Sequence, residues 1–175
     1  MLLTSWNCRG LGHSSKAEAV KNLMKLAPFD LLLLRDTKIE EDALLLISKN
    51  KWNMTSSKAV SVRGSCGGLA TLWCKDNFQL INEYVTQHWI FSELFHNNRK
   101  ITFALFNLYV LVNYEEKKYC WQLIFDFLEL HSPANIFIAG DLNLTLAPIE
   151  KKGGAHGKDF MQDAVEKNDS RLGFG

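Results

Sequence analysis

A layered α/β (α+β) sandwich is the architecture this chain encodes, and three observations point to it. The opening reads β-α-β, with a crossover long enough to bring two strands parallel. The middle holds several strand-like runs in close succession, with little room for helices between them, which favours antiparallel pairing. A helix-patterned segment then leads into an apolar run, "NIFIAGD", that stops at an acid. Strands mixed with helices in this order call for helices laid over sheets.

The first strand is "LLTSWNC", followed by the glycine-bearing loop "RGLGHSS". "SSKAEAVKNLMKLA" is helical. Ser15 and Glu18 form a capping box, and Val20, Leu23, Met24 and Ala27 fall on one face. Pro28 ends the helix. "FDLLLLRD" is a continuous apolar run bounded by charge, the pattern of a strand covered on both faces. "EEDALLLISKN" is a short second helix. "SVRGSCGGLATLWC" places two glycines before a strand. "FQLINEYVTQHWIFSELF" contains two strands, and "HNNRK" is the turn before "ITFALFNLY". "EEKKYCWQLIFDFLELH" is a third helix, its acids near the N-terminus where the helix dipole favours them. A weak helix, "KDFMQDAVEKN", follows the last strand. With no repeat, linker or low-complexity tract, residues 1–175 are expected to form a single domain.

Composition narrows the function. Twenty basic against 19 acidic residues leave a net charge of +1, so no strong field favours nucleic acid, membrane or acidic ligands. An enzyme acting on phosphodiesters does not need one. Cys8, Cys66, Cys74 and Cys120 are scattered and form no CxxC pair, which argues against zinc and against a disulfide framework. The first residues lack the basic and apolar regions of a signal peptide, and no apolar run reaches membrane-spanning length. A reduced intracellular protein with no membrane partner is expected.

Polar residues recur where strands end. Asn7 closes the first strand, Asp36 the second, and Asp141 with Asn143 a later one. In open α/β sheets, ligands gather outside the carboxyl ends of strands. Carboxylate and amide oxygens suit a hard cation such as Mg²⁺ (or Mn²⁺), which takes one or two protein carboxylates and completes its shell with water and phosphate. Taken singly, Asp and Asn at strand ends are explained by turns and caps. Gly67 and Gly68 could admit a phosphate to the backbone or simply turn the chain into a strand. The "EKKGGAHGK" loop could lie along a nucleic acid, and flexibility explains its glycines equally well. Trp6, Trp73, Trp89 and Trp121 sit in apolar patterns and belong to the core; the pattern around Trp52 does not decide its place.

Taken together, "WNCRGLG", "LLLLRDTK", "GSCGGLATLW", "NLYV…EEKKYCW" and "IFIAGDLN…PIEKKGG" resemble, in order and spacing, the endonuclease/exonuclease/phosphatase superfamily. Within it they are most similar to the endonuclease domain of plant non-LTR retrotransposons. The resemblance implies a DNase I-like, four-layered α/β sandwich and Mg²⁺-dependent cleavage of phosphodiesters, with DNA as the ancestral substrate and the nucleus as a place of work. By position, Asn7 would lie in the hydrogen-bond network beside the metal and Asp36 would bind it. Tyr109 would contact the scissile phosphate. Asp141 would orient or deprotonate the attacking water, and Asn143 would hold the phosphate and stabilise its developing charge.

The chain departs from this pattern at several points. Asp36 stands where the family has glutamate, shortening the arm by about 1.5 Å, whereas metal distances tolerate about 0.2 Å. Arg35 brings a positive charge beside a cation site. Val110 and Leu111 replace Gly-Pro after Tyr109. Lys117 or Lys118 replaces an arginine and lacks its bidentate fork. The Ser-Asp-His motif that completes the family's site is missing: none of His13, His88, His96, His131 and His156 follows an aspartate. The sandwich is therefore expected to be incomplete at the C-terminus, lacking its last strands, with marginal stability and an exposed sheet edge. The expected function is a retroelement-derived DNA endonuclease domain of weak or absent activity. A non-catalytic remnant binding nucleic acid or protein is the first alternative. Another phosphoesterase of the superfamily, acting on phosphorylated lipid or inositol, is the second.

Overall fold

The computed structural model describes residues 1–26, 29–52, 56–60, 67–110 and 113–143. The "KDFMQDAVEKN" helix, the "PIEKKGG" motif, the 150–158 loop, His156, Cys66 and Leu111 lie outside the described residues. The chain divides into two compact units: Met1–Tyr109 with Pro133–Asp141, and Val110–Ser132 with Leu142–Gly175.

The first unit is an α+β sandwich of two four-stranded sheets. Sheet one contains β1 (Leu3–Asn7), β2 (Leu31–Arg35), β3 (Ser56–Val60) and β4 (Leu69–Trp73), in the order β1-β2-β4-β3. β1 and β2 run parallel, joined by α1 (Ser14–Leu26); the other two pairings are antiparallel. Sheet two contains β5 (Phe78–Val85), β6 (Trp89–His96), β7 (Ile101–Tyr109) and β8 (Ile136–Asp141), in that order. Only β7 and β8 in it are parallel. Each sheet thus carries one parallel pair within an otherwise antiparallel sheet, as the β-α-β opening and the strand-rich middle predict.

Burial follows the strand period of two. On β2 the odd positions Leu31 and Leu33 face sheet two, packing with Trp73, Phe78, Leu94, Phe103 and Leu105. The even positions Leu32 and Leu34 face α1 and α2 (Glu41–Ile47), in a cluster with Ala17, Val20, Leu44 and Trp52. A strand covered on both faces must be apolar throughout, which is why "LLLL" is uninterrupted. Trp52 belongs to this core: it is buried in a π-helical turn (Ser48–Trp52), and its Nε1 donates to the Ala17 carbonyl at 2.8 Å. On α1 the buried stripe is Ala17 and Val20, with Met24 packed against it, while Leu23 is exposed. Spacings of three and four residues select that face.

Two elements differ from expectation. β3, in the polar stretch "SSKAV", has no apolar alternation to announce it; it forms because β4 offers it a free edge. β8 has an apolar run like that of β2, yet it is only partly buried, with Phe137 45% exposed. It pairs with β7 alone among the described residues.

The second unit contributes α3 (Tyr114–His131). Asn113 caps it, its Oδ1 accepting from the Glu115 and Glu116 amides at 3.0 and 3.3 Å. Glu115 and Glu116 complement the dipole at that end, and His131 lies in the last turn. Cys120, Trp121, Ile124 and Phe127 form its buried stripe. Among the described residues, no helix is long and apolar enough to cross a membrane.

Burial also silences two thiols. It pushes Cys8 up to about 11, against the opposing pull of its backbone hydrogen bonds, and Cys120 up to about 11. A raised thiol pKa means the protonated form persists through pH 8, and only the thiolate attacks. Iodoacetamide at pH 8 should therefore label Cys8 and Cys120 about two orders of magnitude more slowly than an ordinary thiol. Peptide mass spectrometry over time checks this, and rapid labelling of Cys8 in the folded chain would contradict it.

Candidate phosphoester site

The inner faces of the two sheets carry the candidate residues. Leu3 and Leu33 pack in the inter-sheet core, so strand alternation puts Ser5 and Asn7 of β1 and Arg35 of β2 on the same inner face. Asn7 stands opposite Arg35 in the β1–β2 register. On sheet two, Phe103, Leu105 and Ala139 pack in that core, so Asn107 and Tyr109 of β7 and Asp141 of β8 also face inward. Tyr109 stands opposite Asp141. The parallel pairs β1/β2 and β7/β8 therefore bring Asn7, Arg35, Asn107, Tyr109 and Asp141 to the carboxyl ends of their strands on facing surfaces.

Arg35 is 8% exposed. One of its terminal nitrogens donates to Ser5 Oγ, and its Nε has no partner among the described residues. Burial lowers its pKa from the ordinary arginine value, while the Asp141 charge, and after it Cys8, pulls the other way. The guanidinium stays charged, because an arginine does not lose its proton in a protein.

Asn107 ties the sheets together. It is fully buried, and its Nδ2 donates to the Ala70 carbonyl at 2.9 Å, with the Leu34 carbonyl at 3.4 Å and Thr71 Oγ1 at 3.5 Å. The Oδ1 atoms of Asn107 and Asn7 are buried acceptors with no partner among the described residues.

Asp36 is placed differently. Its backbone is left-handed, at φ 52°, which turns the chain out of the strand immediately after Arg35. The Gly10 amide donates to its carbonyl at 2.6 Å. Its Oδ2 lies 3.6 Å from Lys38 Nζ. A side chain at Gly67 would come within 1.8 Å of Asp36 Oδ1, so only glycine permits this approach. The Lys38 amide donates to the Gly67 carbonyl at 2.8 Å and the Thr37 amide to the Gly68 carbonyl at 3.3 Å. The two glycines thus clamp the segment that carries Asp36.

Asn143 belongs to the second unit, two residues along the chain from Asp141. Its backbone is left-handed, at φ 46°. Its Nδ2 donates to the Val110 carbonyl, and Lys117 Nζ donates to the Asn143 carbonyl at 3.1 Å. Lys117 is buried and Lys118 exposed, so Lys117 is the one of the two that works inside its unit.

A divalent cation is poorly matched by this arrangement. Among the described residues, no three His, Cys, Asp or Glu side chains lie grouped to hold a metal ion. Asp36, the carboxylate expected to bind an ion, lies beside Lys38 instead, and Asn7, its expected companion, stands opposite Arg35 in the β1–β2 register. Sequence alone missed the role of Asn107 and left open which way Arg35 points. Their signal was present: each is a polar residue at an inward position of an apolar strand.

No family model matches the sequence, and no curated relative does. Solved structures do match. D. rerio TDP2 complexed with a single-strand DNA product superposes with a TM-score of 0.61 at 16% identity, over 82% of this chain and 60% of that one. An endonuclease/exonuclease/phosphatase family protein from Bacteroides thetaiotaomicron gives 0.60 at 12% identity, over 81% and 63%. The human Nocturnin catalytic domain with bound sulfate gives 0.58 at 15% identity, over 82% and 64%. The chain thus spans about three-fifths of the length of these three structures. At these identities the likeness is one of fold, and that fold is the DNase I-like α+β sandwich of endonuclease/exonuclease/phosphatase proteins.

Proposed function

We propose that this chain is a phosphoester-recognising domain derived from a retroelement-type DNA endonuclease, in which Mg²⁺- or Mn²⁺-dependent cleavage is weak or absent. The observation that carries the reading is the convergence of Asn7, Arg35, Tyr109 and Asp141 on facing inner surfaces at the strand ends. Polar groups gathered, buried like Arg35 or half-buried, at one rim of an apolar sandwich are costly to the extent that they lose water without meeting a ligand or one another. The anions seen in two fold neighbours, DNA in one and sulfate in another, are of the kind this rim would take.

In this reading Asp141 orients a water, Tyr109 contacts the phosphate, and Asn7 supplies the buried acceptor; a phosphate role for Asn143 rests on its sequence position alone. A role for Asp36 as an ion ligand requires Lys38 to release its carboxylate, and one for Asn7 places the ion beside the Arg35 guanidinium. The retroelement origin rests on the "GSCGGLATLW" and "PIEKKGG" motifs, and a nuclear location follows only from that origin.

A plasmid-nicking assay in Mg²⁺ and in Mn²⁺, with Asp141→Ala as control, tests activity. Fluorescence anisotropy of a labelled single-stranded oligonucleotide tests recognition. Nicking close to background is expected, with oligonucleotide binding that persists in EDTA and weakens with salt, as phosphate contacts do. Robust nicking abolished by Asp141→Ala would refute the weak-activity reading. Absence of any binding would refute the recognition itself.

A further inference from the structure

Arg35 is the feature the family pattern does not account for. A guanidinium buried to 8% exposure, with the Ser5 hydroxyl accepting from one terminal nitrogen, is expensive to keep. A compensating negative charge is needed, and the inner face provides one. β2 ends on Arg35 with its side chain inward, β8 ends on Asp141 with its side chain inward, and the Asn107 amide joins the strand beside Asp141 to the Leu34 carbonyl next to Arg35. The Asp141 charge favours the charged guanidinium against the penalty of burial. The other charged groups here are Lys38, paired with Asp36 at 3.6 Å, and Lys16, whose Nζ donates to the Cys8 carbonyl at 2.9 Å. Lys38 is more than half exposed, so its pair with Asp36 is weak and readily broken. Arg35 is fixed by packing and is not.

We infer that Arg35 is the resident cation of this rim: its guanidinium neutralises Asp141 from within the sandwich and excludes a divalent ion from the site. Two positive groups cannot share one carboxylate rim in a low-dielectric interior without strong repulsion. A guanidinium also presents fixed N–H donors suited to phosphate oxygens, so the exchange of ion for arginine preserves anion recognition while giving up ion chemistry. The inference builds on the phosphoester reading, but its test needs no nucleic acid, so the two can fail separately.

The test is thermal unfolding of the whole chain in a Mn²⁺ titration, for the parent, Arg35→Gln, Asp141→Asn and the double variant. The parent should show no Mn²⁺-dependent shift. Arg35→Gln should gain one of about 5 °C, the size produced when an ion is present at about a hundredfold over its dissociation constant. Adding Asp141→Asn should remove that gain. Without metal, Asp141→Asn should lower the Tm of the parent, because the guanidinium loses its counter-charge, and lower it much less in the Arg35→Gln background. A parent that Mn²⁺ stabilises as much as it stabilises Arg35→Gln overturns the inference. So does an equal effect of Asp141→Asn in both backgrounds. Should Arg35→Gln fail to fold, the parent decides alone: an unchanged Tm on Asp141→Asn, or Mn²⁺ stabilisation that Asp141→Asn removes, is fatal to it.

Discussion

Gly140→Ala should detach β8 and carry Asp141 away from the site, at a cost of about 3 kcal/mol or more. Gly140 sits opposite Leu108 in the parallel β7–β8 ladder, and its φ of 152° is one that L side chains rarely adopt. A Cβ there would lie 2.2 Å from the Leu108 carbonyl oxygen, 2.7 Å from its nitrogen and 2.8 Å from its carbonyl carbon. All three atoms are backbone, so no rotamer change relieves the clash. Either the φ changes or the strands part. β8 is the strand that yields, since it is an edge strand whose one strand partner among the described residues is β7. Hydrogen exchange should show lost protection over Ile136–Asp141, with β1 and β2 unaffected. Gly12→Ala is the control, because nothing lies within 4 Å of a Cβ there. Native-like protection of β8 in Gly140→Ala would show that the ladder tolerates the side chain.

Asn107→Leu should cost about 2–3 kcal/mol, although leucine is similar in size and more apolar. Asn107 is fully buried. Its Nδ2 reaches the Ala70 and Leu34 carbonyls, which stand opposite each other in the β2–β4 register. Leucine offers no donor, so these oxygens lose a partner they cannot replace with water. The gain from burying a methyl-rich side chain is smaller than that loss, because asparagine already fills the space. Urea unfolding measures the difference. An unchanged midpoint would mean that the carbonyls are fully satisfied within their own sheet and that the amide bridge is incidental. The substitution also loosens the link between β7 and the end of β2, so Arg35 and Asp141 should become less well ordered.

These two positions show how unevenly the sequence exposed its own structure. The apolar run ending at "GD" announced a strand and a polar end. It did not reveal that Gly140 must lie against Leu108, because close approach between strands depends on register, and register is a property of the partner. The helix Tyr114–His131 was legible because its helical spacing and its N-terminal acids are local, although its Asn113 cap was not picked out. β3 was not legible, since a short polar strand is recruited by the free edge of β4.

At the site, strand-end polar residues could be picked out by eye, and Asn7, Tyr109 and Asp141 do lie on inner faces at strand ends. The sequence could not decide which residue of the Arg35–Asp36 pair turns inward. Alternation along β2 points Arg35 into the sandwich, and the left-handed backbone at Asp36 then directs the acid toward Gly67 and Lys38. Order of elements, helix ends and the apolar faces of strands were written in the residues themselves, because those depend on spacing and local chemistry. The choice of arginine over aspartate as the charge facing Asp141 came only with the folded chain, because it depends on strand parity, on the exact residue where the strand stops, and on what the opposite sheet brings within reach.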